Sequence, residues 1–320
     1  MDSILAFALF AVGLVVIIKG GDWFVESAVS IAKKTGIPSI VIGATIVSFA
    51  TTLPELLVSS LAMVDGFPDV ALGNIIGSCI CNIGLILALG IFFLPGKIKF
   101  KSFVIKGLLM ISVTLFIFRF VADRKIDSLE GNYLFLCMII YMIANLLEIR
   151  RIKQRSSQNF SLTELVPKRE RMSMSILKFI LGAGLVVVGA ELLIHYGVEI
   201  ADIIGVPKAV VSLTMIALGT SLPELVTTIT AILKKYEGIS VGNIIGANII
   251  NLTMALGVSA KIDDIAIKRQ TVALDLPVAL ILMILLVVPG ILKGRLTRGH
   301  GILLMVIYLC YLGILGIMFL

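Results

Sequence analysis

Ala50-Thr51-Thr52-Leu53-Pro54-Glu55-Leu56 and Gly73-Asn74-Ile75-Ile76-Gly77-Ser78-Cys79-Ile80-Cys81-Asn82 decide the fold, because both stretches occur twice. They return as Gly219-Thr220-Ser221-Leu222-Pro223-Glu224-Leu225 and Gly242-Asn243-Ile244-Ile245-Gly246-Ala247-Asn248-Ile249-Ile250-Asn251, at a constant offset of 169 residues. Gly36-Ile37-Pro38 matches Gly205-Val206-Pro207 at the same offset. From Gly73 to Asn82, seven of ten positions are identical without a gap. Self-similarity at one fixed spacing marks a duplicated unit.

The surroundings of these stretches are apolar. The 320 residues are 59% hydrophobic and 15% charged, against about 45–50% and about 25% in ordinary soluble domains. Mean hydropathy is +1.11. This excludes disorder, collagen-like repeats and most soluble enzymes. Apolar runs bounded by Gly, Pro or charge predict ten membrane helices, near 3–33, 39–64, 71–94, 103–121, 130–148, 174–202, 208–233, 240–258, 271–289 and 300–319. Each approaches or exceeds the roughly 20 residues a crossing needs. The run Ile4–Ile18 has no basic segment before it and no small-residue cleavage site after it. It reads as a first helix, not a removed signal.

Ten helices in two copies give five per copy. Five is odd, so the second copy enters the membrane from the opposite face. The expected fold is therefore all-α and polytopic, with ten transmembrane helices in two inverted-topology five-helix repeats: 1–148, a linker 149–172, and 173–320. Inverted repeats are a transporter architecture, with the site near the midplane between the halves. The net charge of +7 reads as orientation, not nucleic-acid binding. Loop parity puts 19 basic residues on one side and 7 on the other. The positive-inside rule makes the richer side cytoplasmic. A cell-membrane protein with both termini extracellular and a cytoplasmic linker 149–172 is expected.

The chemistry lies in the repeated motifs. Glu55 and Glu224 fall in mid-helix, where a charge costs at least about 2.5–3.5 kcal/mol. No Lys or Arg lies in the central parts of the motif-bearing segments. A bound cation would supply the missing partner. Thr51 and Thr220 precede the glutamates by four residues, which stacks a hydroxyl one turn away on the same face. Thr52 and Ser221 add a second hydroxyl. Pro54 and Pro223 lack a backbone N–H and free the carbonyls of Ala50 and Gly219. Ser78 and Asn82 are again four apart, and their counterparts are Ala247 and Asn251. Gly73, Gly77, Gly242 and Gly246 permit close helix approach. Oxygen-only donors with two carboxylates suit a hard cation, calcium or sodium. Cys79, Cys81, Cys137 and Cys310 lie in apolar runs without metal-site or redox spacing, and His195 and His300 are isolated. No catalytic constellation is evident, so no enzyme is expected, and no cofactor beyond transported ions.

Thr51-Thr52-Leu53-Pro54-Glu55 and Gly219-Thr220-Ser221-Leu222-Pro223-Glu224, each followed by Gly-Asn-Ile-Ile-Gly-x-x-Ile-x-Asn, resemble the paired alpha-repeats of sodium/calcium exchangers in the calcium/cation antiporter superfamily. A short central linker resembles the archaeal and bacterial members. The resemblance implies a secondary antiporter in which a sodium gradient drives calcium out. It implies one calcium site made by Glu55, Glu224, Thr51 and Thr220. It also implies sodium sites that reuse both glutamates with Ser78 and the backbone carbonyls of Ser48 and Ala217. In the family the long helices 1 and 6 are thought to slide past a fixed core. Asn251 stands where potassium-dependent relatives carry Asp, which argues against potassium coupling. Ala50 and Ala247 depart from the family's usual Gly and Ser, and Ala247 removes one hydroxyl. The alternatives are a proton-driven cation antiporter of the same fold, in which the glutamates exchange protons, and a channel. Calcium and sodium ions and the lipid bilayer are the expected partners, with the chain acting as a monomer.

Overall fold

The computed structural model describes residues 3–97, 100–121, 124–156, 171–203 and 219–319. Its helices are α1 (Ser3–Thr35), α2 (Ser39–Thr51), α3 (Leu53–Val64), α4 (Pro68–Phe93), α5 (Phe100–Phe120), α6 (Ser128–Ser156), α7 (Met172–Ile203), α8 (Leu222–Leu233), α9 (Glu237–Ile262), α10 (Thr271–Lys293) and α11 (Arg298–Phe319). Among the described residues, eight helices are long and apolar enough to cross a membrane, or nine with α2 and α3 as one bent span. The predicted span 208–233 is described only from Gly219, and its helix α8 begins at Leu222.

α4 and α9, which carry the Gly-Asn-Ile-Ile-Gly motifs, form the centre. Their hydrophobic windows are 78% and 83% buried, whereas the windows of the other candidate spans are 22–44% buried. A stripe of glycines explains how α9 sits so deep. A Cβ on Gly242 would lie 2.4 Å from the Ile40 carbonyl oxygen, and one on Gly246 would lie 2.7 Å from Ala44. Backbone meets backbone there, as small-residue packing in membranes allows. Among the described residues nothing lies within 4 Å of a Cβ placed on Gly73 or Gly77.

α1 and α7 lie along each other at the side of this core. Their seam is also made of small residues: a Cβ on Gly20 would meet Leu185 at 2.8 Å, and one on Gly189 would meet Ile17 at 2.7 Å. Phe24 and Phe179 stack across it at 4.6 Å. α1 touches the core mainly along α8, where Gly21 faces Val226 and Thr230. Just beyond α8, Lys234 binds Asp22 at 2.9 Å and Glu26 at 2.7 Å on α1. Partial burial works against the Lys234 charge, but its hydrogen bonds to Glu26 and Asp22 outweigh this and hold its pKa above the usual lysine value.

Two short ribbons clasp the halves. β1 (Gly96–Lys97) pairs antiparallel with β4 (Arg295–Leu296), and β2 (Lys125–Ile126) with β3 (Ile265–Ala266). The repeat offset maps β1 onto β3, so each ribbon joins one strand from each half, and the two strands of a half go to different ribbons. α5 runs from β1 to β2 over 21 residues, about 31 Å of helix at the usual rise. The ribbons thus cap opposite ends of the bundle.

Three features differ from the sequence expectation. α6 continues through Ser156, eight residues into the segment expected to be linker. Arg150, Arg151, Lys153, Gln154 and Arg155 are strong helix formers, so the helix outlasts its apolar stretch. The expected segment 39–64 breaks at Thr52 with a bend of 41°. And α2, α4, α9 and α10 contain π-helical turns at Gly43–Val47, Asn82–Leu87, Asn251–Ala255 and Thr271–Asp275. Such turns carry one extra residue inside an otherwise regular helix and recur at functional sites.

Candidate functional site: a buried pair of glutamates

Proline builds the site. Pro54 and Pro223 sit in the first turn of α3 and α8, where a missing N–H costs nothing. The chain must leave the helix just before them. Thr52 (φ −84, ψ −2) and Ser221 (φ −85, ψ 5) occupy these breaks with nearly identical backbones. Each break turns its hydroxyl across to the other half. Thr52 Oγ1 donates to Glu224 Oε1 at 3.3 Å, and Ser221 Oγ donates to Glu55 Oε1 at 3.3 Å.

Both glutamates are fully buried. Among the described residues Oε2 of each has no hydrogen-bond partner, and neither glutamate forms an ion pair. A buried carboxylate with one free oxygen is costly unless something positive meets it. Asn82 Oδ1 and both ends of the Asn251 amide are likewise buried without a partner among the described residues.

Each residue expected at the site has a definite place. Thr51 Oγ1 donates to Asn243 Oδ1 at 3.2 Å and Thr220 Oγ1 to Asn74 Oδ1 at 2.9 Å, again across the halves. Ser78 Oγ lies 3.5 Å from Thr220 Oγ1. The Ser48 carbonyl already accepts the Thr52 N–H at 2.9 Å and the Thr51 hydroxyl at 3.3 Å. Ala217 lies outside the described residues. Thr52 and Ser221 are bonded to the glutamate of the other copy, although the sequence places them within about a turn of the glutamate of their own. The helix break turns Thr52 and Ser221 away from that carboxylate and onto the opposite one. Sequence reading also passed over Asn74, Asn243 and Asn248 as site residues. For Asn74 and Asn243 the signal was present, since an amide repeated inside an apolar motif needs partners once buried.

Among the described residues no cluster of three or more His, Cys, Asp or Glu side chains exists. Any cation held here meets two carboxylates and neutral oxygens, the donor set of a hard ion. A cavity of about 360 Å³, lined in part by Ser39, Ile91, Tyr236, Glu237 and Ser240 at the end of the bundle, includes neither glutamate.

The model of the family described as sodium/calcium exchanger protein matches residues 5–147 and again 174–316. This chain belongs to the sodium/calcium exchanger family. It is 29% identical to the sodium/calcium exchanger MaX1 of Methanosarcina acetivorans, over 97% of this chain and 98% of that protein. It is 32% identical to the putative antiporter CaxA of Alkalimonas amylolytica, over 94% and 95%. A solved structure of the sodium-calcium exchanger NCX_Mj, soaked with 2.5 mM Na+ and 0.1 mM Ca2+, superposes with a TM-score of 0.83 at 29% identity, covering 97% of this chain and 98% of that one. The fold is thus that of a polytopic helical membrane exchanger, and the family's transported substrates are calcium and sodium.

Proposed function

We propose that this chain is a secondary antiporter that exchanges sodium for calcium by alternating access and extrudes calcium. The observation that carries this is the crossed pair of glutamates, each held on one oxygen by the other half and free on the second. Two carboxylates match the charge of one calcium ion. Removing the ion leaves two like charges buried together, so sodium must replace it before the site can turn round empty of calcium. That requirement is what makes exchange obligatory. The cargo site consists of Glu55, Glu224, Thr51 and Thr220, with Ser78, Asn82, Asn251, Thr52, Ser221 and the Ser48 and Ala217 carbonyls around it for sodium.

The two halves, 1–148 and 173–320, act as inverted repeats joined by the segment 149–172. The α1–α7 pair is the moving body. Its two helices meet along a glycine seam, while its contact with the core among the described residues runs along α8, Ile42 and Val47 of α2, and the Lys234 ion pairs. The chain works as a monomer in the cell membrane, with both termini outside and the linker in the cytoplasm.

Calcium uptake into proteoliposomes tests the exchange. Uptake should appear with an outward sodium gradient, vanish without it, and need no potassium. Uptake driven equally by a proton gradient without sodium would transfer the glutamates to proton exchange. Uptake without any counter-ion would make the chain a channel. For orientation, a Ser157→Cys substitution in a Cys310→Ser background should be labelled by an impermeant thiol reagent only from the cytoplasmic side.

A further inference from the structure

The two asparagines that open the π-helical turns, Asn82 and Asn251, are equivalent by the repeat, yet their surroundings differ. Asn248, on α9, donates from Nδ2 to the Cys79 carbonyl at 3.1 Å. A backbone carbonyl only accepts, so this bond fixes which way round the Asn248 amide lies. Asn248 Oδ1 then faces α4 and accepts from Asn82 Nδ2 at 3.0 Å. With its NH2 committed, Asn82 has only Oδ1 left, and that oxygen is buried without a partner. Asn82 lies one turn beyond Ser78, whose hydroxyl is 3.5 Å from Thr220, so it is on the site face of α4.

We infer that Asn248 is a positioning residue: through the Cys79 carbonyl it locks Asn82 so that an oxygen, and not an NH2, is presented to the cation. This rests on the cation site proposed above. The reverse orientation would turn two N–H donors toward a positive ion. Fixing the oxygen in advance removes the cost of ordering it when the ion arrives.

The other half lacks the lock. The repeat equivalent of Asn248 is Cys79 itself. Its sulfur makes the equivalent contact, 3.9 Å to the Asn248 carbonyl, and offers the Asn251 amide across the interface only a weak acceptor. Accordingly both ends of the Asn251 amide are buried without a partner among the described residues. Asn251 therefore takes its orientation from the cargo, whereas Asn82 has its orientation before the cargo binds.

Calorimetric titration of the purified protein with calcium chloride, repeated at rising sodium chloride, reads both affinities. Asn248→Cys, which copies the residue of the other half, should weaken cation binding about two- to tenfold, the size of one hydrogen bond. In an Asn82→Ala background the same substitution should weaken it no further, because its effect passes through Asn82. Equal weakening in both backgrounds would mean that Asn248 acts only as packing, and the lock would be rejected. In the opposite direction, Cys79→Asn should give Asn251 the same anchor and tighten binding. A folded Cys79→Asn protein with unchanged affinity also overturns the inference, and this arm stands if Asn248→Cys does not fold. Failure of the site reading looks different: calcium binding that survives Glu55→Gln together with Glu224→Gln removes the site itself, whereas the lock can fail while the glutamates remain essential.

Discussion

The layer of polar groups behind Glu55 is paired, and the equivalent layer behind Glu224 is not, among the described residues. Behind Glu55, Asn74 Nδ2 donates to the Glu55 carbonyl at 3.3 Å and to Ser59 Oγ at 2.9 Å, and Ser59 in turn reaches the Ala71 carbonyl at 3.4 Å. Behind Glu224, the equivalent atoms Asn243 Nδ2 and Thr228 Oγ1 are buried without partners among the described residues, as is Thr227 Oγ1. Thr228 replaces Ser59, and its extra methyl restricts the rotamers open to the hydroxyl in a helix. Duplication has kept what the cargo needs identical: carboxylate, proline, helix break and crossed hydroxyl. The supporting layer has diverged. Two halves that repeat the same motifs are therefore unequal in how well their buried polar groups are paired.

The largest effect should fall where the halves agree. Glu55→Ala and Glu224→Ala should each abolish exchange in proteoliposomes. Breaking a buried charge arrangement by removing one member costs about 3–5 kcal/mol, more than about a hundredfold in calcium affinity. Glu55→Gln and Glu224→Gln should be nearly as damaging and similar to each other. A large difference between the two glutamine variants would break the symmetry at the centre of the site.

The next effect lies outside the site. Lys106, buried in α5, binds Glu148 of α6 at 2.5 Å and Ser102 at 2.8 Å. The repeat places Asp275 at the equivalent position of α10, where it accepts from the Tyr311 hydroxyl at 3.0 Å. Lys106→Met leaves a largely buried carboxylate alone and should destabilise the protein by about 3 kcal/mol. Asp275→Asn keeps an acceptor for Tyr311 and should cost less than about 1 kcal/mol. Thermal melting in detergent compares them, and equal losses would show that Asp275 has a charge-dependent role.

The asparagine layer gives a smaller contrast. Asn74→Ala removes bonds to Thr220, Ser59 and the Glu55 carbonyl, whereas Asn243→Ala removes only the bond to Thr51. The first should be less stable than the second by about 1–3 kcal/mol, the cost of leaving buried groups unpaired. Equal melting temperatures would mean that water already completes the second half.

Much of this was legible in the sequence, for a physical reason. A duplication copies residues in register, so a constant offset exposes both glutamates, both prolines and both asparagines without coordinates. Apolar run length exposes the helices. What stayed hidden depends on how the halves meet. Nothing in Thr51-Thr52-Leu53-Pro54-Glu55 says that Thr52 serves Glu224, because the helix break that turns it is a tertiary compromise around proline. The π-helical turns at Asn82 and Asn251 leave no periodicity signal, since one extra residue shifts the helical phase only locally. Asn248 was invisible for the opposite reason: its repeat partner is Cys79, and a search for identities passes over the position where the copies differ.

Ala247 is the smallest and sharpest test of that divergence. Its equivalent, Ser78, faces Thr220 across the halves, so a serine at 247 would face Thr51 by the same symmetry. Ala247 is fully buried beside Gly246, which abuts Ser48 and Ala44, and only one oxygen need be added to the existing Cβ. A single neutral ligand contributes roughly 0.5–1.5 kcal/mol net, up to about tenfold in affinity. Ala247→Ser should therefore lower the half-saturating sodium concentration by up to about that factor. It should leave calcium affinity nearly unchanged, because the proposed calcium ligands are the carboxylates and threonines. Sodium-dependent calcium flux measured over a range of both ions separates the two. A shift in calcium equal to that in sodium would place residue 247 within the shared centre of the site. No shift in either would mean that the hydroxyl lost from the second half has already been replaced by a water bound near Thr51.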